Sequence, residues 1–228
     1  MGKVYRDYVK RAGDVAGSAM LIVLTAPLMV VISGIVRLGL GRPVVFRQAR
    51  PGRGEKVFIM YKFRSMRDDR GPDGTLLPDH KRTTPLGKFL RKTSLDELPE
   101  LFNILKGDMS FVGPRPLLVR YMPFYSASEN RRHTVRPGVT GLAQVSGRTQ
   151  LGWNERLALD VAYVDEVSFW LDMDIVMKTV RTVLSWKSTQ YGSFGDLDIE
   201  REIPDIEVRT DDVFSPEHSD RDREAKSY

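Results

Sequence analysis

From Val15 to Val36 the chain reads VAGSAMLIVLTAPLMVVISGIV, 22 positions without a charge. Coiled as one helix, this run is about 33 Å long, enough to cross the hydrocarbon core of a bilayer. A cleaved secretory leader has a shorter apolar core and a small-residue cleavage site, so that reading is set aside. Pro27 stands in the middle of the run. Proline removes a backbone N–H and its ring clashes with the preceding turn, which predicts a kink or a break there. Both flanks are basic, with Lys3, Arg6, Lys10 and Arg11 before the run and Arg37, Arg42, Arg47, Arg50 and Arg53 after it. Positive flanks stay on the cytoplasmic side. A straight span carries one cluster across, whereas a helix bent at Pro27 enters and leaves by one face. Prolines are also common in ordinary spanning helices, so on physics alone the two readings are equal. Both place the basic body on the cytoplasmic side.

Beyond the apolar run the period changes. Val44–Phe46 and Val57–Phe63 are β-branched and aromatic runs flanking RPGRGE, which predicts a β-hairpin with a Gly/Pro turn. Residues 68–81 are a polar loop rich in Gly, Pro and Asp. Leu86, Phe89 and Leu90 share one face of a short helix over about Pro85–Lys92. Leu98, Leu101, Phe102 and Leu105 recur at helical spacing, and Gly107 is a stop signal. FVGPRPLL is a turn held by two prolines around Arg115, and RPGVTGLAQVSGR is a glycine-punctuated loop. Two further helices are predicted at about Trp153–Val167 and Trp170–Trp186. Several body helices set Leu, Phe, Trp or Tyr beside Lys and Arg. That pattern is expected to face the core in most, with one or two lying at a membrane interface near the anchor.

Charge sharpens this outline. Residues 196–228 hold 12 Asp/Glu against 5 Lys/Arg, a net −7, so a chain of net +5 carries +12 over residues 1–195. A body this basic suits anionic partners such as lipid head groups and nucleotides. The acidic tail has few large apolar residues and is expected to be mostly disordered. There is no cysteine and only three scattered histidines, which excludes a disulfide framework and disfavours a zinc site. Neither a P-loop nor a dinucleotide fingerprint is present, so an ATPase or nicotinamide enzyme is not indicated. A nucleic-acid binder lacks a recognisable module and fits a membrane anchor poorly.

The residues that could do chemistry cluster in SLDELPE, Ser94–Glu100. Ser94 and Glu97 have capping-box spacing, and acids suit a helix start, so the stretch reads either as a helix cap or as a catalytic carboxylate pair. With Pro99 close behind, the alternative is a helix that begins at the proline and leaves Asp96 and Glu97 in the turn just ahead of it. A helix start favours an ionised Asp96, which is a nucleophile toward phosphorus. Phosphoryl transfer asks otherwise for positioning and charge neutralisation, and Mg²⁺ binds through one or two carboxylates plus substrate phosphates. Arg115, rigid within GPRP, is suited to a bidentate phosphate clamp, or is a solvated turn residue. Lys62 and Arg64 point to one face of their strand, which is either a phosphate-binding face or the wet side of the hairpin. The glycines at 138, 141 and 147 allow close backbone approach to a ligand.

Four stretches in order, KRAGDVAGSAMLIVLTAPLMV, FRQARPGRGEKVFIMYKFRSM, SLDELPELFNILKGDMSFVGPRPLL and RPGVTGLAQVSGR, resemble the bacterial sugar transferases, monotopic phosphoglycosyl transferases. The likeness runs from about Tyr5 to about Ser188 and looks closest to the small single-domain members, including the bacillosamine-phosphate transferase of bacterial N-glycosylation. It implies transfer of a sugar 1-phosphate from a UDP-sugar to polyprenyl phosphate with release of UMP. It implies Asp96 as the nucleophile with Mg²⁺ beside it, Glu97 as its partner, and Arg115 and Lys62 as phosphate ligands. It further implies a re-entrant helix broken at a Ser-Pro pair. Here the pair is Ala26-Pro27, with Thr25 just before. The expected architecture is a mainly helical α/β protein. Residues 1–40 form a re-entrant membrane helix, residues 41–193 a cytoplasmic catalytic domain with a small β-hairpin and interfacial helices, and residues 194–228 a disordered acidic tail. The expected place is the cytoplasmic face of a bacterial inner membrane. A different hexose donor for capsule priming, and a non-enzymatic membrane scaffold, are the rival expectations.

Overall fold

The computed structural model describes residues 4–147, 151–184 and 196–201. A π-helical turn, Tyr5–Val9, leads into helix α1 (Lys10–Gly39). The hairpin follows as β1 (Val45–Pro51) and β2 (Val57–Phe63), antiparallel, with Phe46 opposite Lys62 and Gln48 opposite Met60. Then come α2 (Pro85–Lys92), α3 (Glu100–Lys106), β3 (Ser110–Val112), β4 (Gly138–Thr140), α4 (Trp153–Glu166), α5 (Phe169–Leu184) and α6 (Leu197–Glu200). The expected mainly helical α/β architecture is present, with the long apolar helix, the small hairpin and a helical body.

Pro27 lies inside α1 and does not end it. The predicted break is therefore absent as an interruption of helical structure. Thr25 Oγ1 donates to Leu21 O at 2.7 Å one turn before the proline. Backbone bonds on either side of a single missing N–H hold the helix together, a cost that apolar membrane helices commonly carry.

Helix α1 is the spine of the core. Toward its end, Met29, Ile32 and Val36 pack with Phe63 of β2 and Leu90 of α2. In its first half, Leu21 and Ile22 pack against Phe58, Met60, Leu101, Ile104 and Met109. Near its start, Arg11 donates to the carbonyls of Ile104 (2.6 Å) and Leu105 (2.9 Å), where α3 leaves carbonyls unpaired and a cation is favoured. Buried Asp14 accepts from Ser110 Oγ and Phe111 N, both at 3.1 Å, and so pins β3. The opposite face of α1 exposes Met20, Val23, Leu24, Leu28, Val30, Val31, Ile35 and Leu38. Helix α5 likewise exposes Trp170, Met173, Met177 and Val180 at helical spacing while burying Ile175.

Two buried contacts fix the elements that carry the site. The side chain of Asn103 mimics a third strand: its Oδ1 accepts from Tyr61 N (3.0 Å) and its Nδ2 donates to Ile59 O (2.7 Å), tying β2 to α3. Strand β3 pairs parallel with β4, and a Cβ on Gly138 would stand 2.1 Å from Gly113 N. Gly138 and Gly141 thus serve backbone packing against the GPRP loop, not the close ligand approach expected of them.

The acidic tail departs from expectation over residues 196–201. Leu197 is fully buried among Tyr121, Trp153 and Leu157. Arg120 pairs with Asp196 (2.5 Å), and Arg201 makes a two-pronged bond to Glu129 (2.7 and 2.9 Å). One apolar anchor and two arginines hold a segment whose composition reads as solvated. Residues 194–195 and 202–228 lie outside the described residues.

Candidate active site

The stretch around Asp96 is not a helix cap. Ser94 has φ 56° and ψ 16°, left-handed for a residue with a Cβ, and its side chain makes no capping bond. A single 3₁₀ turn, Leu95–Glu97, follows, and α3 starts only after Pro99. Asp96 and Glu97 therefore sit in a strained turn ahead of the helix, a placement typical of functional sites.

The turn faces β2 and the GPRP loop. Lys62 Nζ donates to Glu97 Oε1 at 2.6 Å and lies 3.1 Å from Glu100 Oε1. Arg115 Nη2 donates to the same Glu97 oxygen at 3.2 Å. The backbone of Arg115 is held in turn, since its carbonyl accepts from Arg132 Nη2 (2.6 Å), and buried Arg132 pairs with Asp160 (2.8 Å). Lys62 is thus a buried member of an ion network and not the wet side of a hairpin. All four expected residues, Lys62, Asp96, Glu97 and Arg115, line one cleft of about 510 Å³. Arg50, Arg64, Arg82 and Arg91 line it as well.

Among the described residues the Asp96 carboxylate makes no hydrogen bond or ion pair, though the residue is only 7% exposed. Glu97 beside it is paired with both Lys62 and Arg115 through Oε1. Burial works against its charge, but Arg115 and Lys62 outweigh it and hold the Glu97 carboxyl well below the usual range. Burial and then the Glu97 charge push Asp96 up, against Lys62, Arg91 and Arg115, which pull it down. This reverses the expected effect of a helix start, because Asp96 is not at one. Glu100 is also pushed up, by burial first and by Glu97. The Lys62 ammonium is raised: burial and Arg115 oppose its charge, and Glu97, Glu100 and Asp96 prevail.

Three contributors escaped sequence reasoning. Glu100 closes SLDELPE, Asn103 stands between the apolar positions of the helix that follows, and Arg132 sits in NRRHT, and none of the three lies in a motif that marks its role. Their partners lie 17 to 44 positions away in the chain, as for Arg132 with the Arg115 carbonyl and Asn103 with Ile59. No group of three or more metal-ligating side chains occurs among the described residues. An acceptor carboxylate without a protein donor, facing a cationic cleft, fits a Mg²⁺ ion held by Asp96 and completed by substrate phosphate oxygens.

Residues 5–186 match the family described as bacterial sugar transferase. The chain is 49% identical over 176 residues to the uncharacterized sugar transferase EpsL of Bacillus subtilis, covering 77% of this chain and 87% of that protein. It is 40% identical over 194 residues to a UDP-glucose:undecaprenyl-phosphate glucose-1-phosphate transferase of Caulobacter vibrioides, covering 80% and 72%. It is 38% identical over 195 residues to an undecaprenyl-phosphate galactose phosphotransferase of Salmonella typhimurium, covering 78% of this chain and 40% of that longer protein. A family match over residues 5–186, on a chain whose cleft gathers Asp96, three paired carboxylates and six cations, establishes that it belongs to the bacterial sugar transferase family.

Proposed function

We propose that this protein is an undecaprenyl-phosphate sugar-1-phosphate transferase that uses a UDP-sugar and starts assembly of a lipid-linked glycan. The observation that carries the catalytic assignment is the Asp96 carboxylate, without a hydrogen-bond donor in a cleft walled by Lys62, Arg91 and Arg115. In the first step an Asp96 oxygen attacks the β-phosphorus of the UDP-sugar. The bond from that phosphorus to the bridging oxygen breaks, and UMP leaves with the electron pair. In the second step a phosphate oxygen of the lipid attacks the aspartyl-linked phosphorus, and Asp96 departs as the free carboxylate. Lys62 and Arg115 face the phosphoryl charge. Glu97 keeps both cations in place through one oxygen. When bound, Mg²⁺ supplies further neutralisation of phosphate charge beside Asp96.

Burial of Asp96 fits a nucleophile. A desolvated carboxylate that is more basic than usual is a stronger nucleophile once the cations and substrate hold it ionised. The relatives named for glucose and galactose transfer support a hexose donor. The resemblance to the bacillosamine enzyme supplies the rival donor. The test is UMP release from full-length protein with undecaprenyl phosphate and a panel of UDP-glucose, UDP-galactose, UDP-N-acetylgalactosamine and a UDP-diacetylated bacillosamine. Mass spectrometry of an acceptor-free reaction should show a phosphosugar on Asp96. Wild-type UMP release by Asp96→Asn would sink the covalent route.

Residues 1–40 serve as the membrane element of a monotopic enzyme on the cytoplasmic face of the inner membrane, and residues 41–193 as its catalytic part. Arg11 and Val36, at opposite ends of α1, both rest on this one body. A spanning helix would separate its ends by a bilayer core of about 30 Å, leaving a cytoplasmic body in contact with one end only. The exposed apolar stripe of α5 adds an interfacial contact. Cysteines placed singly at Lys3 and Arg42 should both label from the cytoplasm; a periplasmic Lys3 refutes the re-entrant arrangement.

A further inference from the structure

The cations of the cleft differ in what already holds them. Lys62 has Glu97 and Glu100, Arg64 has Asp68 at 2.7 Å, Arg82 has Asp79 at 2.7 Å, and Arg115 has Glu97. Arg50 lines the same cleft from β1, and no carboxylate pairs with it among the described residues. Its guanidinium makes one bond, from Nη2 to the neutral Gln48 Oε1 at 2.6 Å. Its Nε is buried without an acceptor. Burial first and then the Arg115 charge depress it to about 10, against the pull of the Glu100 carboxylate, which forms no ion pair with it. Tyr121 and Tyr125, from the segment behind β1, lie close enough to act on it electrostatically but bring no charge at neutral pH.

A half-buried guanidinium with a buried, unpaired Nε, set against a second guanidinium and without an ion-paired carboxylate among the described residues, is an arrangement that folding alone disfavours. It resolves if an anion arrives. The fork geometry of arginine suits phosphate oxygens, and the cleft is large enough to admit a diphosphate or a lipid head group.

We propose that Arg50, with Arg115, forms a phosphate-binding subsite of this cleft, positioned by Gln48 and joined to the Lys62–Glu97–Glu100 cluster through the Arg115–Glu97 pair. It rests on the transferase reading for the source of its phosphate, which is either the donor diphosphate or the acceptor lipid phosphate. Gln48 holds one edge of the guanidinium and leaves the remaining donors to the ligand.

The test begins with a probe that needs no turnover. Inorganic pyrophosphate is titrated by calorimetry into full-length wild type, Arg50→Gln and Arg50→Lys in lipid nanodiscs. Arg50→Gln should bind at least roughly tenfold more weakly, the size of one lost charge-assisted bond, with Arg50→Lys in between. Arg50→Gln should also melt at or above the wild-type temperature without ligand, since it removes a half-buried charge that has no ion-paired carboxylate. Binding within twofold of wild type in both variants overturns the proposal, as does a lower melting temperature with unchanged binding. If Arg50→Gln does not fold, Arg50→Lys alone decides: a loss of at least threefold supports the fork, and equality overturns it. Steady-state KM values then separate the sources. A rise for the UDP-sugar alone assigns the donor diphosphate, and a rise for polyprenyl phosphate alone assigns the acceptor. No rise in either overturns the subsite. If wild type releases no UMP with any donor, the transferase reading fails while the pyrophosphate result still stands on its own.

Discussion

The cleft and the clasp at residues 196–201 are built from the same side chains, arginine and carboxylate, and differ in how these are paired. In the clasp, Arg201 meets both oxygens of Glu129 and also donates to Phe124 O and Asn154 Oδ1. Arg120 reaches Asp196 and Asp198. In the cleft, among the described residues, Glu97 takes two cations, Asp96 takes no donor, and Arg50 has no ion-paired carboxylate. The clasp pairs most of its charges, with Asp198 Oδ1 left over, and closes a surface; the cleft leaves Asp96 and Arg50 outside its ion pairs and so forms a site that a charged ligand completes. The clasp should therefore tolerate loss with modest effect, and the cleft should not.

The largest effect is expected at the uncommitted carboxylate. Asp96→Asn should lower UMP release by about 10³-fold or more, as for other covalent nucleophiles. Its melting temperature should be no lower than wild type, because the charge it removes is the desolvated one. A cold-sensitive or unfolded Asp96→Asn would break the contrast by making the residue structural. Next, Lys62→Met leaves Glu97 and Glu100 buried without their shared cation. Removing one partner from a buried pair costs about 3–5 kcal/mol, measurable by chemical denaturation. Asn103→Leu removes both bonds to β2 and strands the Tyr61 N–H and the Ile59 carbonyl, at about 1–3 kcal/mol each for any group left unsatisfied.

The clasp gives smaller numbers. Leu197→Ala should cost about 2–3 kcal/mol locally, seen as faster hydrogen exchange over residues 117–125 and 196–201, with UMP release within about twofold of wild type. A larger drop in activity would show that the clasp is coupled to the cleft. The smallest effect is one of pH. Hydrogen bonding from Arg201 holds the Glu129 carboxyl at about 2, below its ordinary 4.5. A folded-state value below the unfolded one gives stability that is complete above pH 4.5 and lost as pH falls toward 2. Residues 196–201 should therefore release in acid, reported by Trp153 fluorescence, and Arg201→Met should flatten that acid response.

What was legible in the sequence was local. Helix α2 has the predicted bounds because Thr84 caps it, accepting from Gly87 N at 3.1 Å, and Pro85 opens it. The hairpin follows from two β-rich runs around a Gly/Pro turn, and β2 spans the predicted Val57–Phe63. Asp96, Glu97, Lys62 and Arg115 were reachable because they sit in distinctive motifs. What was not legible depends on partners far along the chain. Glu100 and Asn103 acquire meaning only when α3 lies on β2. Arg50 looked like one of several flanking positives, and its lack of a carboxylate is a property of the packed cleft. Pro27 predicted a break that a continuous helix does not show, and a single Leu197 outweighed the acidic composition of its surroundings.

The inward face of α1 has a practical consequence for anyone handling this enzyme. Met29, Ile32 and Val36 complete the cluster around Phe63 and Leu90, and Asp14 pins the strand next to the GPRP loop. Cutting the chain before β1 to obtain a detergent-free fragment would open that cluster and unhook the loop that carries Arg115. Solubility engineering should instead replace the outward residues Val23, Leu24, Val30 and Val31 with polar ones and leave the inward row untouched.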